Sequence, residues 1–183
     1  MRFAVDISIT VKDSFTTIKM SIAISNSSPL IAFSAIGRLD LIQRTFESIL
    51  IPQAVNREVN TFTDTSATQT RVWKPIRADW IIVVSVTETP ALAILRESLG
   101  AGEAEAIILA TERTLPLLLD DLPARKMATR MNLSPIGSLG ILARCKRAGA
   151  IREVKPVVQA LRNVGIFYAD SLIQRFLYDM SEI

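Results

Sequence analysis

The chain reads as an α/β protein built on a mostly parallel sheet covered on both faces. Three observations predict this. Short apolar runs, Ile22–Ile24, Ile49–Ile51, Trp80–Val86 and Leu115–Leu119, recur along the sequence, several of them rich in β-branched residues. Segments with helical spacing separate them, so each run is followed by a crossover of the length a parallel pair needs. The composition suits a folded core, with 49% hydrophobic and 21% charged residues in 183.

The elements follow in order. Residues 1–19 alternate loosely and read as a strand or an added extension. Ile22–Ile24 suits a buried strand. Ser25–Pro29 (SNSSP) is a turn and helix start, with Ser28 as N-cap and Pro29 at the first helical position. Leu30–Ile36 is then a helix stopped by Gly37, and a second helix runs through about Arg44 or Phe46. Ile49–Ile51 ends at Pro52, from which a helix through Val59 places Ala54, Val55 and Val59 on one face. Thr61–Arg71 is polar and aperiodic and reads as an exposed loop. Trp80–Val86 is the strongest strand signal in the chain. Thr89-Pro90 opens a helix ending at Gly100, and Glu103–Arg113 is a second, very apolar helix. Leu115–Leu119 is a strand running into Asp120-Asp121. Leu122–Met131 is an amphipathic helix, Ser134–Ile136 a short strand, and Gly137–Ala148, Arg152–Asn163 and Asp170–Met180 close the chain as helices. The organisation is an extension at 1–19 and a single domain at 20–183.

Composition excludes several chemistries. There is no histidine, so there is no Ser-His-Asp triad, His-based zinc site or imidazole acid/base. The lone cysteine, Cys145, cannot form an internal disulfide and reads as a small packing residue. No apolar run approaches the roughly 18 residues of a spanning helix, and no basic-then-apolar leader opens the chain, so the expectation is a soluble cytoplasmic protein. A net charge of +3 permits nucleic-acid binding without arguing strongly for it.

In sheets of this kind ligands sit at the carboxyl ends of the strands. Oxygen-bearing residues fall there repeatedly: Asn26 after the first strand, Glu58 in the helix after Pro52, Glu103 and Glu105 in the first turn of an apolar helix, and Asp120 and Asp121 after the Leu117–Leu119 strand. A carboxylate cluster without histidine suits a hard cation such as Mg²⁺ or Mn²⁺, which orients water and neutralises phosphate charge. Plain structural roles compete at each position: a helix-dipole partner at Glu103 or Glu105, an N-cap at Asp120-Asp121, a solvated residue at Glu58, a turn residue at Asn26. Glu103 and Glu105 lie about 200° apart around a helix, so only one faces a shared site, and Glu105, heading AIILA, is the inward one. Asp120 and Asp121 point oppositely in extended backbone, so one can be a ligand while the other caps a helix. The GAG at 100–102 lacks phosphate-loop spacing and reads as a helix stop and start. Arg144, Lys146 and Arg147 form a basic cluster, either a solvated helix face or an RNA-backbone contact.

Together these pieces resemble the PIN-domain superfamily, and more closely a PIN-like subgroup of nucleic-acid-binding proteins. The matching segments are ISNSSPLIAFSAIGRLDLI (24–42), ILIPQAVNREV (49–59), LGAGEAEAIILA (99–110), LLLDDLPAR (117–125) and IGSLGILARCKRAGAIREVKP (136–156), in consistent order over residues 20–180. Residues 1–19 lie upstream of where the resemblance begins. It implies a compact α/β/α sandwich with a central parallel sheet. It implies Mg²⁺- or Mn²⁺-dependent RNA cleavage, with metal-site positions at Asn26, Glu58, Glu105 and Asp121, Asp120 beside the last, and Glu103 and Ser138 in supporting places. Glu58, Glu105 and Asp121 are the acidic catalytic residues of that scheme. Arg125, Lys126, Arg144, Lys146 and Arg147 would guide the RNA. Similar proteins are toxins silenced by a small antitoxin partner and commonly dimerise. Asn26 stands where the family usually has Asp, so the metal site is weaker by one charge. The competing reading is a non-catalytic nucleic-acid- or protein-binding domain with a degenerate site.

Overall fold

The computed structural model describes residues 20–61, 63–64, 71–72, 76 and 78–183. The extension at 1–19 and most of the Thr61–Arg71 loop lie outside the described residues. The first two crossovers of the sheet are β1 (Met20–Ser25), α1 (Ser27–Ala35), α2 (Asp40–Thr45), β2 (Phe46–Pro52) and α3 (Gln53–Thr61). Two short strands, β3 (Thr63–Asp64) and β4 (Arg71–Val72), then pair antiparallel, where the sequence suggested only loop. The chain continues as β5 (Ile81–Val84), α4 (Pro90–Arg96), α5 (Ala101–Arg113), β6 (Leu117–Leu118), α6 (Leu122–Arg130), α7 (Ser138–Arg147), α8 (Lys155–Asn163) and α9 (Asp170–Asp179).

The main sheet has four strands in the order β5-β2-β1-β6, all parallel. Side chains alternate between its faces, and the packing records this residue by residue. Ala23, Ile49, Ile51 and Leu118 enter one core with α1, α2, α7, α8 and α9. Ile24, Leu117 and Leu119 enter the other with α4, α5 and α6. Helices therefore cover both faces, and the protein is a three-layer α/β/α sandwich.

Several local expectations shift. The first helix opens at Ser27 with Asn26 at the N-cap position, not Ser28, and the Asn26 amide makes no cap bond. The helix stop at Gly37 holds: its φ of +67° carries the chain through a turn that a side chain would strain. Ser134–Ile136 contributes a single parallel bridge, Leu118 to Ile136. The strongest strand signal, Trp80–Val86, is an edge strand with Ile82 and Val83 exposed.

Candidate active site at the carboxyl ends of the strands

Parallel pairing brings the ends of β1, β2 and β6 to one edge. The Asn26 N–H donates to the Leu118 carbonyl at 3.1 Å, which holds Asn26 beside the start of the Asp120-Asp121 turn. Helices begin at this edge, and their first N–H groups lack partners within the helix. In this protein carboxylates supply most of those partners, and they do so across the chain.

Glu58, on α3, accepts from Gly102 N in the first turn of α5 at 3.2 Å. Glu105, on α5, accepts from Ala54 N in the first turn of α3 at 3.1 Å. The two helices thus cap each other reciprocally. The other oxygen of Glu105 takes a 2.8 Å ion pair from Arg96, whose guanidinium also grips Glu88. Asp121 caps its own helix, accepting from Ala124 N at 2.8 Å. Asp120 reaches forward to α7, accepting from Ser138 N at 2.7 Å and from the Ser138 hydroxyl at 2.5 Å. Burial pushes the Asp120 carboxyl above its ordinary value, opposed by the Ser138 bonds and the Arg125 charge. Gly137 lets both side chains come close: a Cβ there would stand 2.9 Å from Asp120 Oδ1 and 3.0 Å from the Arg125 guanidinium, and one of them would have to shift.

Glu103 differs from all of these. Its recorded hydrogen bond is a long one of 3.4 Å, accepted from the Asn26 side-chain amide. That amide also donates to Ser28 Oγ at 3.5 Å. Asn26 is fully buried, and its Oδ1 is a buried acceptor with no hydrogen-bond donor. Such a group carries a desolvation cost of about 1–3 kcal/mol unless something fills it.

The order of elements, the parallel sheet and this acidic edge agree with a family match. The sequence matches the PIN domain of the DUF3368 family over residues 22–182. The chain belongs to the PIN-domain family. It is therefore a nuclease-like or nucleic-acid-binding domain, and PIN domains generally are nucleases. No curated protein and no solved structure matches the chain.

Within this PIN domain the structure joins Asn26 to Glu103, brings Glu58 to the same turn of α5, and pairs Asp120 with Ser138. It turns Glu105 inward, as its place in the apolar run suggested, but toward Arg96 and the α3 amide rather than Asn26. Arg96 was missed in the sequence. Its signal is faint, since it closes an apolar helix nine residues before its partner. Of the basic residues, Arg125 donates to Leu119 O at 2.7 Å beside Asp120. Lys126 is exposed on α6, and Arg144 and Arg147 are exposed on α7. Lys146 is committed elsewhere, to Glu182 and the Met180 carbonyl at 2.6 Å each.

The donor chemistry can be tested against a divalent cation. Among the described residues no three Asp, Glu or Cys side chains are grouped as a metal site. Two carboxylates and one amide oxygen are nevertheless at hand: Glu103, Glu58 and the orphaned Oδ1 of Asn26. All are hard oxygen donors, and an orphaned acceptor is what a cation satisfies. In donor type these residues suit Mg²⁺ or Mn²⁺.

Proposed function

We propose that this PIN domain is a metal-dependent endoribonuclease, with Asn26, Glu103 and Glu58 holding Mg²⁺ or Mn²⁺. The observation that carries the reading is the buried Asn26 side chain: its oxygen is unsatisfied, and its amide nitrogen faces a carboxylate that caps no helix. When bound, the cation supplies charge neutralisation at the scissile phosphate and activation of water. Glu103 and Glu58 would hold the cation, orient the attacking water and accept the proton it gives up as its oxygen bonds to phosphorus. The phosphorus bond to the leaving ester oxygen would break, and that oxygen would take up a proton from solvent. Arg125, fixed against Leu119 O, is placed to bind a phosphate oxygen. Asp120 and Ser138 fix the start of α7 and hold the edge rigid around the reaction. In this assignment Glu103 takes the part that the family pattern gave to Glu105, and Asp121 serves α6.

The family reading also carries finer proposals: RNA as substrate, a toxin role with a small antitoxin-like partner, a homodimer, and a cytoplasmic location. Among the described residues no helix is long and apolar enough to cross a membrane.

A second reading has its own support. Glu105, Asp120 and Asp121 are engaged in caps and ion pairs, and among the described residues no three acidic side chains are grouped. A binding domain that kept the fold and lost the chemistry would look like this. Incubation of labelled RNA with Mn²⁺ or EDTA decides between them. The nuclease gives cleavage that needs Mn²⁺ and disappears in Glu103→Gln. Absence of cleavage, or equal cleavage by the variant, selects the binding domain.

A further inference from the structure

We infer that the groove between α7 and the Ile166–Ala169 segment binds single-stranded RNA, with Phe167 as a stacking platform for an unpaired base. The inference rests on the nucleic-acid reading of the PIN domain, and it adds a substrate path and the residue on which a base stacks.

The groove has a volume of about 1260 Å³ and ends at Asp120 and Arg125, beside the candidate active site. Its wall is basic. Arg144, Arg147 and Arg125 line it, while Lys146 is neutralised by Glu182. Asp120 is the one carboxylate among the lining residues. A polyanion complements such a wall, and its phosphates can sit on guanidinium groups.

Phe167 stands at the lip, 88% exposed. Its neighbours explain why it points outward. Ile166 and Tyr168 pack against the core, and alternation along the extended segment turns the residue between them to solvent. An exposed benzyl ring gains nothing for the fold. Beside free cations it offers what an unpaired base takes, a flat apolar face. A duplex has no open base face to offer in return.

At the inner end the Tyr168 hydroxyl is a second unused polar group. It lies close to Ser138 and Asp120 yet is buried without a hydrogen bond of good geometry.

The test is binding in EDTA, by fluorescence anisotropy, on the full chain. The probes are a labelled unstructured RNA of about 14 nucleotides, a hairpin RNA of equal length, and an acidic amphipathic peptide. We expect the unstructured RNA to bind more tightly than the hairpin. Phe167→Ala should weaken that binding about tenfold, the range of one base–aromatic contact, and Phe167→Trp should restore it. Arg144→Ala with Arg147→Ala should lower the slope of log affinity against log salt by about 1.4, two phosphate contacts on a single strand. Thermal melts of each variant show that the fold is kept. Unchanged RNA affinity in the Phe167 and arginine variants overturns the inference. Phe167-dependent binding of the peptide but not of RNA overturns it in favour of a protein partner. Phe167-dependent RNA binding without Mn²⁺-dependent cleavage supports the groove and refutes the nuclease reading. Cleavage that survives all the groove variants with unchanged affinity does the reverse.

Discussion

Two carboxylates, Glu182 and Glu103, sit near helix N-termini at opposite parts of the molecule, and their surroundings differ. Glu182 is 7% exposed and fully used. It accepts from Lys146 Nζ at 2.6 Å, from Val154 N at 2.6 Å and from Lys155 N at 2.7 Å. It supplies from the far end of the chain the cap that α8 lacks locally. Glu103 caps nothing, and its neighbour Asn26 holds an unsatisfied oxygen. The lesson is that a helix-start carboxylate becomes informative only when its partners are counted. A saturated one is a clamp. The unsaturated one, beside an orphaned acceptor, is where we propose that a cation binds.

The sharpest way to break this comparison is the pair Glu103→Gln and Glu105→Gln. Glu103→Gln should cut Mn²⁺-dependent cleavage by about 100-fold or more, roughly 3 kcal/mol of barrier, with stability almost unchanged. Glu105→Gln keeps an acceptor for Ala54 N but removes the charge that Arg96 holds. Arg96 is 34% exposed, so the loss is moderated by solvent. Its unfolding free energy should fall by about 1–2 kcal/mol, with cleavage kept within a few-fold. The reverse pattern, activity lost in Glu105→Gln and kept in Glu103→Gln, would return Glu105 to the place the family pattern gave it.

Glu182→Ala tests the saturated side. It leaves two helix-start N–H groups and Lys146 without their acceptor, and should cost about 2–3 kcal/mol in urea unfolding. Burial raises the pKa of Glu182, but the bonds from Lys146, Val154 and Lys155 outweigh it and hold the carboxyl below its ordinary value. An acid held low in the folded state stabilises above the unfolded value, about 4.3, and that contribution is lost as pH falls through the folded value. Wild type should therefore lose stability over this acidic window, while Glu182→Ala shows less of that loss.

Why the sequence showed one of these regions and hid the other follows from the range of the contacts. The sandwich was legible because it rests on local signals: β-branched runs for β1 and β2, Thr89-Pro90 for α4, whose Thr89 side chain accepts from Leu92 N at 3.2 Å, and Gly37 at a turn. The acidic edge was legible in outline, since residues after parallel strands must gather at one end. Which oxygen faces which neighbour was not. Glu58 and Glu105 exchange caps across 44 and 51 residues, and Glu182 reaches Lys146 across 36. No periodicity encodes such pairings. Helical geometry correctly turned Glu105 inward, but it could not reveal that Arg96 waits there. Trp80–Val86 is a strand as its sequence suggested, β5 at Ile81–Val84. Apolar character marks a strand but not its place in the sheet, and this one lies at the edge.

The smallest effect tests whether Glu58 belongs with the site or only with the cap. A Cβ at Gly102 would stand 2.6 Å from both Glu58 carboxylate oxygens, closer than such atoms approach. Glu58 is the end of a flexible side chain, so in Gly102→Ala it can swing aside. Swinging costs α5 one capping bond, about 1 kcal/mol, while alanine in place of glycine in a helix returns a similar amount. The melting temperature should therefore move by only a few degrees. Cation binding should respond differently, because the displaced oxygens are those assigned to the ion. Calorimetric titration with Mn²⁺ should show affinity reduced about tenfold, a loss typical of disturbed ligand placement. Unchanged Mn²⁺ affinity with unchanged stability would confine Glu58 to the reciprocal cap and leave Asn26 and Glu103 to hold the ion alone.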